Sequence, residues 1–417
     1  MRIFLVHNSY QEAGGEDVVF QRESQLLKSA GHEVLEYRRS NLEIERYSWV
    51  RRLGLLSRSV WAYDTRREFR DLLHHDRPDI VHVHNTFLMI SPSIYSACCD
   101  QNVPVVQTLH NYRLLCPAAS FFRDGKPCED CVAHGLSCGI QHGCYRDSRM
   151  ATASVAIMLA VHRKRKTWVQ MVDRYIALTE FARSKFVNAG FPRDKITVKP
   201  NFAYPDPGKR TCDGSYALFV GRLSPEKGIY TLLDAWCRSS VDMALRIIGD
   251  GPSSTQLQSR VAASATKKIV FMGKVQQPQV ISAMKEARFL VFPSEQYENF
   301  PLTIAEAFAC TLPVIASDLG AMREIVTDGQ TGLLFRAGDP EDLARKLAGA
   351  CAHPEQMRQL GKQARVEYEN KYSADANYHM LMDIYHKVID RSREHELPSC
   401  MVSGEPFATH PSQRHWS

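Results

Sequence analysis

The sequence predicts an α/β protein built as two doubly wound domains. Short apolar runs that end in polar residues alternate with helical stretches, once before residue 200 and again after residue 215. Residues 199–215 between them hold Pro200, Pro205, Pro207, Gly208 and Gly214, the composition of a linker. A length of 417 residues also exceeds what one hydrophobic core usually serves.

In chain order, Arg2–Val6 reads as a strand and Gly14-Gly15-Glu16-Asp17 as the loop after it. Val18–Ala30 has apolar positions at helical spacing, with Gly31 as a stop. His32–Tyr37 returns as a strand and completes a β-α-β unit. Asp79–His84 and Val103–His110 are further short strands, Ala151–Val161 is helical, and strand Arg174–Thr179 leads into helix Glu180–Ala189. Ligands of such a sheet bind beyond the carboxyl ends of its strands. Gly15, His84 and His110 all stand at such ends. Gly14-Gly15 permits close approach of backbone to a ligand, although an ordinary strand–helix turn would use glycine in the same way.

The second half carries the denser chemistry. Leu218-Phe-Val-Gly-Arg222-Leu-Ser-Pro-Glu-Lys227-Gly228 is a strand and a basic turn, and it opens onto the helical Ile229–Trp236. Two cations in a glycine-bounded turn before a helix suit a diphosphate. Arg288–Ser294 is a buried strand, and Pro301 is placed at the first position of the next helix, where its missing N–H costs nothing. Glu298 then lies in the loop before that helix and Glu306 within it. Free N–H groups at the helix start attract phosphate, and a carboxylate accepts paired hydrogen bonds from vicinal hydroxyls. An isolated pair of glutamates at this spacing would be a solvated helix face; the flanking residues reverse that reading.

Together these pieces resemble the donor half of a retaining family 4 glycosyltransferase of GT-B architecture, over residues 216–335. The order is G-R-x-x-x-x-K-G, Gly249-Asp-Gly-Pro252, Phe271-Met-Gly273, the Pro-Ser strand end, E-x7-E, and Glu324-Ile-Val-Thr-Asp-Gly-Gln-Thr-Gly-Leu-Leu. The resemblance implies two Rossmann-like domains facing a central cleft. Residues 1–200 form the acceptor side, with a Cys-rich insertion at 116–144. Residues 201–371 bind the donor, 372–390 cross back as a helix, and 391–417 are read as a disordered tail. It further implies that Arg222 and Lys227 neutralise a leaving diphosphate and that Glu306 holds ribose hydroxyls. Glu298 contacts the transferred sugar, and His110 meets that sugar from the opposite lobe. Gly15, Phe300, Leu302 and Thr303 line the donor. Pro301 departs from the glycine of many relatives and removes one N–H.

The implied activity is transfer of a sugar from a nucleotide-diphosphate-sugar to a hydroxyl of a saccharide or lipid-linked saccharide, in cell-surface polysaccharide synthesis. No two aspartates stand at i and i+2, so no catalytic metal is expected. A sugar-nucleotide epimerase of the same architecture and a non-catalytic transferase-like binding protein remain alternatives.

Five of the twelve cysteines fall between Cys116 and Cys144. Cys116, Cys128, Cys131 and Cys144 are compatible with a tetrahedral structural zinc; the competing reading is four buried thiols. A net charge of +6 is too small to imply nucleic acid. Nine arginines against four acids between Arg38 and Arg70, interleaved with Tyr47, Trp49, Trp61 and Phe69, and the run Arg163–Lys166, suggest contact with an anionic membrane. The alternative is a solvated face. With no signal peptide read at the first strand, the expected location is the cytoplasm, at the inner face of its membrane.

Overall fold

The computed structural model describes residues 1–11, 14–48, 54–239, 241–263 and 268–394. Two six-stranded parallel sheets form the frame. The first contains β1 (Arg2–Ser9), β2 (Glu33–Ser40), β3 (Ile80–Asn85), β4 (Val105–Leu109), β7 (Arg174–Ala177) and β8 (Ile196–Val198), in the order β2-β1-β3-β4-β7-β8. A two-stranded hairpin, β5 (Phe122–Arg123) with β6 (Lys126–Pro127), stands apart in the cysteine-rich insertion. The second sheet contains β9 (Tyr216–Val220), β10 (Ala244–Ile248), β11 (Ile269–Gly273), β12 (Ala287–Phe292), β13 (Val314–Ser317) and β14 (Gly332–Phe335), in the order β11-β10-β9-β12-β13-β14.

Both orders reverse once, between β1 and β3 and between β9 and β12. Those are the switch points where a doubly wound sheet binds ligands. Helices cover both faces, which is why the strands read as continuous apolar runs: Ile3, Leu5 and Val6, and likewise Leu290 and Val291, are fully buried.

The last helix, Ala374–Glu394, packs against the first sheet. Its Leu381, Tyr385, Val388 and Ile389 share a core with Ile3, Leu5, Ile80, Val106 and Ile176. Each such side chain contributes about 1.5–3 kcal/mol on burial. Residues 391–394 therefore continue a helix instead of opening a tail. The rest of the expected tail, 395–417, lies outside the described residues, as do Trp49, Arg51 and Arg52.

Pro301 is not the first helical residue. It caps the helix Leu302–Ala309 in an extended conformation, φ −76° and ψ 100°. Phe69 is a core residue, and Trp61 is half-buried against His162. Five of the nine arginines between Arg38 and Arg70 are paired within the lobe, with Glu36, Glu43, Asp64, Asp100 and Asp71. Arg163 donates to the carbonyls of Leu114 and Leu115, a structural role. No helix among the described residues is long and apolar enough to cross a membrane.

Candidate active site

Three loops at the carboxyl ends of β9, β10 and β12 pack backbone against backbone. A Cβ on Gly228 (φ +67°) would stand 1.8 Å from the carbonyl oxygen of Pro293, and one on Gly249 would stand 1.8 Å from that of Gly221. Only glycine allows this contact, and the contact fixes where the loop bearing Arg222 and Lys227 meets the loop bearing Glu298. Lys227 Nζ donates to Glu298 Oε1 at 2.6 Å, and Ser294 Oγ donates to the same oxygen at 2.7 Å. Burial alone would raise the Glu298 carboxyl. The charge and hydrogen bond of Lys227, helped by Ser294 and Gln296, outweigh it and hold the group below its ordinary value. Glu298 is an ionised, nearly buried carboxylate at neutral pH. Arg222 is exposed on the same loop.

Glu306 reaches across the cleft. Its Oε1 accepts from Arg22 Nη2 at 2.7 Å and from Gln277 Nε2 at 2.8 Å. Arg22 belongs to the helix Gly15–Ser29 of the first lobe. A Cβ on Gly15 would lie 3.7 Å from Leu302 Cδ1, so the starts of helices Gly15–Ser29 and Leu302–Ala309 face each other. Leu302 and Thr303 open their helix, where N–H groups have no partner within the helix. Phe300 is buried beside Tyr372.

Asn299 Nδ2 donates to the carbonyl of Leu109, the residue before His110. His110 therefore sits at the end of β4 next to the Glu298 loop. His84 joins it, with Nδ1 2.9 Å from His110 Nε2. Behind this pair is a buried charged cluster that the sequence did not announce. Lys199 Nζ lies 3.1 Å from Glu23 Oε2. His82 Nδ1 lies 3.0 Å from Glu23 Oε1, and His84 Nε2 lies 3.3 Å from that atom, off the line of a good hydrogen bond. His82 also meets Tyr385 Oη at 2.7 Å and Thr108 Oγ1 at 2.8 Å, and Lys199 meets Asn377 Oδ1 at 3.2 Å. Burial and then His82 push His84 down to about 3. Burial and then His84 keep His110 well below its ordinary value. Both rings are neutral.

Glu16, also missed, opens the same helix as Arg22. It accepts from Asn85 and Asn111, each at 3.1 Å, and burial followed by the neighbouring Asp17 pushes it up to about 8. Its position beside Gly14-Gly15 was the available signal. A cavity lined by His84, Asn85, His110, Asn111 and Arg113 opens at this end of the first sheet.

Residues 13–206 match the family described as Glycosyltransferase Family 4, and residues 207–367 match Glycosyl transferases group 1. The chain is 32% identical over 178 residues to an uncharacterized glycosyltransferase of Methanocaldococcus jannaschii, covering 43% of this chain and 50% of that one. It is 31% identical over 238 residues to the phosphatidyl-myo-inositol mannosyltransferase of Mycobacterium leprae, covering 54% and 61%. The matches thus span only about half to three-fifths of those relatives. The fold resembles that of Anabaena HepE in complex with UDP-glucose, at TM-score 0.65 and 16% identity, covering 93% of this chain and 100% of that one. Sucrose-phosphate synthase from Thermosynechococcus elongatus gives TM-score 0.69 at 16% identity, covering 94% and 99%. The architecture is GT-B.

Proposed function

We propose that this chain, which belongs to the family 4 type of glycosyltransferases, moves a sugar from a nucleoside-diphosphate-sugar to a hydroxyl, with retention of anomeric configuration. The observation that carries this reading is the Lys227–Glu298 pair at one switch point, facing the end of β4 that bears His110. Charge builds on the diphosphate as the glycosidic bond breaks, and a fixed cation in a water-poor cleft stabilises it. Lys227 and Arg222 supply that charge, so the reaction needs no divalent ion. Glu298, released from part of its bond to Lys227, accepts from hydroxyls of the transferred sugar and stabilises its developing positive charge.

Glu306 receives both its side-chain contacts on Oε1; Oε2 is the atom for a ribose hydroxyl. Phe300 and the free N–H groups of Leu302 and Thr303 border the phosphates, with Gly15 leaving room opposite. His110 accepts from the sugar at Nδ1, since its Nε2 is engaged with His84. Some relatives bear names of enzymes acting on lipids or polysaccharides, among them the phosphatidyl-myo-inositol mannosyltransferase above and the exopolysaccharide phosphotransferase SCO2592 of Streptomyces coelicolor. They support a saccharide or lipid-linked acceptor.

The test is a screen of nucleoside-diphosphate-sugars by thermal shift. A ligand at a hundred times its Kd stabilises by about 2.7 kcal/mol. Product is then analysed by NMR, where an α-linked product from an α-donor is expected. Inversion would overturn the mechanism, and magnesium-reversible loss of activity on chelation would overturn the metal independence. Free epimerised donor without acceptor would favour the epimerase.

A further inference from the structure

The insertion after β4 has little to hold it together. Its elements are the two-residue strands β5 and β6 and the helices Asp130–Ala133 and Ser137–His142. Four cysteines from three segments of it nonetheless border one space. Cys116, Cys128, Cys131 and Cys144 line one small cavity with Ala118, Phe122 and Arg123. The fifth cysteine of the segment, Cys138, does not. The thiols that line this cavity are thus the four whose spacing suits a metal, out of five that composition offered.

We propose that Cys116, Cys128, Cys131 and Cys144 bind one zinc ion as a structural site. All four are free thiols. Gly139 lets one of them in: a Cβ there would stand 3.1 Å from Cys131 Sγ. Thiolates gathered this way repel one another, and a divalent cation removes that cost. Binding releases the thiol protons and leaves a centre of net negative charge, which the adjacent Arg123 guanidinium, shared with Asp130, offsets in part.

No three of these sulfurs yet lie within 4.8 Å of one another; among the described residues only Glu23, His82 and His84 form so tight a group, and Lys199 already supplies its cation. Zinc–sulfur bonds of about 2.3 Å require sulfurs about 3.8 Å apart, so the ion draws these three segments inward. The consequence reaches the cleft. Glu129, between Cys128 and Cys131, pairs with Lys185 at 2.6 Å, and Lys185 Nζ lies 4.9 Å over the ring of Tyr297, next to Glu298.

Protein purified under reducing conditions is expected to carry about one zinc per chain by elemental analysis. Cys128→Ser and Cys131→Ser should lose it, and Cys138→Ser should keep it. Cobalt added to reduced, metal-free protein should give thiolate charge-transfer bands and the visible bands of a tetrahedral centre. Where the serine variants do not fold, the cobalt spectrum of the unaltered chain decides. Zinc-free reduced protein that takes up no cobalt overturns the site. So does a disulfide among these four cysteines, and so does equal metal loss in Cys138→Ser.

Discussion

His84 Nδ1 stands 2.9 Å from His110 Nε2, and the Glu23 carboxylate lies 3.3 Å from the other nitrogen of His84. With the His84 proton on Nε2, 3.3 Å from the Glu23 carboxylate, Nδ1 accepts and His110 Nε2 donates; the opposite tautomer reverses the pair. His110 Nδ1 is then a lone pair available to a sugar hydroxyl. In Glu23→Gln the nitrogen shifts of His110 should show a mixed tautomer by NMR, and kcat should fall more than KM rises. The variant also leaves Lys199 buried and unpaired, which costs about 3–5 kcal/mol. Glu23→Gln with Lys199→Met should recover part of that stability in urea melts. An unchanged tautomer would remove Glu23 from this role.

Lys227→Ala and Glu298→Gln should each lower turnover by at least ~10²-fold with the fold intact, as loss of a transition-state contact does. Glu306→Ala should instead act on donor affinity. Arg22→Ala should resemble it, because the two side chains form one cross-lobe pair. Calorimetry of nucleotide binding to both single variants and the double variant checks this. Additive losses would show that Arg22 does not act through Glu306.

Glu16 gives a pH signature. Its carboxyl is pushed up to about 8 from an ordinary 4.5, so folding favours the neutral form. That contribution is full below the unfolded value and fades as pH rises through about 8. Glu16→Gln should therefore gain stability relative to the unaltered chain as pH rises. Melting curves from about pH 5 to about pH 9 measure the difference; parallel curves would contradict the burial of this group.

All four residues of the run Arg163–Lys166 are exposed, and Arg163 is tied to the carbonyls of Leu114 and Leu115, which leaves Lys164, Arg165 and Lys166 at the end of a helix that also exposes Ile157. Each cation near an anionic surface contributes about 1 kcal/mol. The protein should bind anionic vesicles, release with added salt and ignore neutral ones. Changing these three residues to Gln should weaken binding with donor affinity unaltered. Equal partitioning to both vesicle types rules out the electrostatic account.

The donor half was legible because its chemistry is local: one strand end, one turn and one helix start hold Arg222, Lys227, Glu298 and Glu306 within short, ordered segments. The first lobe was legible only in its strands. Glu23, Lys199, Tyr385 and Asn377 lie far apart in the chain, and a buried carboxylate on a helix looks the same in sequence as a solvated one. Lys199 was read as the start of a loose linker, yet its ammonium is an interior charge. The charge count behind the membrane reading was blind in the same way, since charge counted along the chain does not tell which arginines already have partners.

The terminal helix completes the first sheet rather than the second, so the linker is not a place to cut. A fragment stopping after β8 would strip cover from Ile3, Leu5, Ile80, Val106 and Ile176, and would lose Tyr385 and Asn377 from the Glu23 cluster. Such a piece should be sticky and prone to self-association. Joining residues 374–394 to it, by a permuted connection that skips the donor lobe, is the route to an acceptor lobe that stands alone.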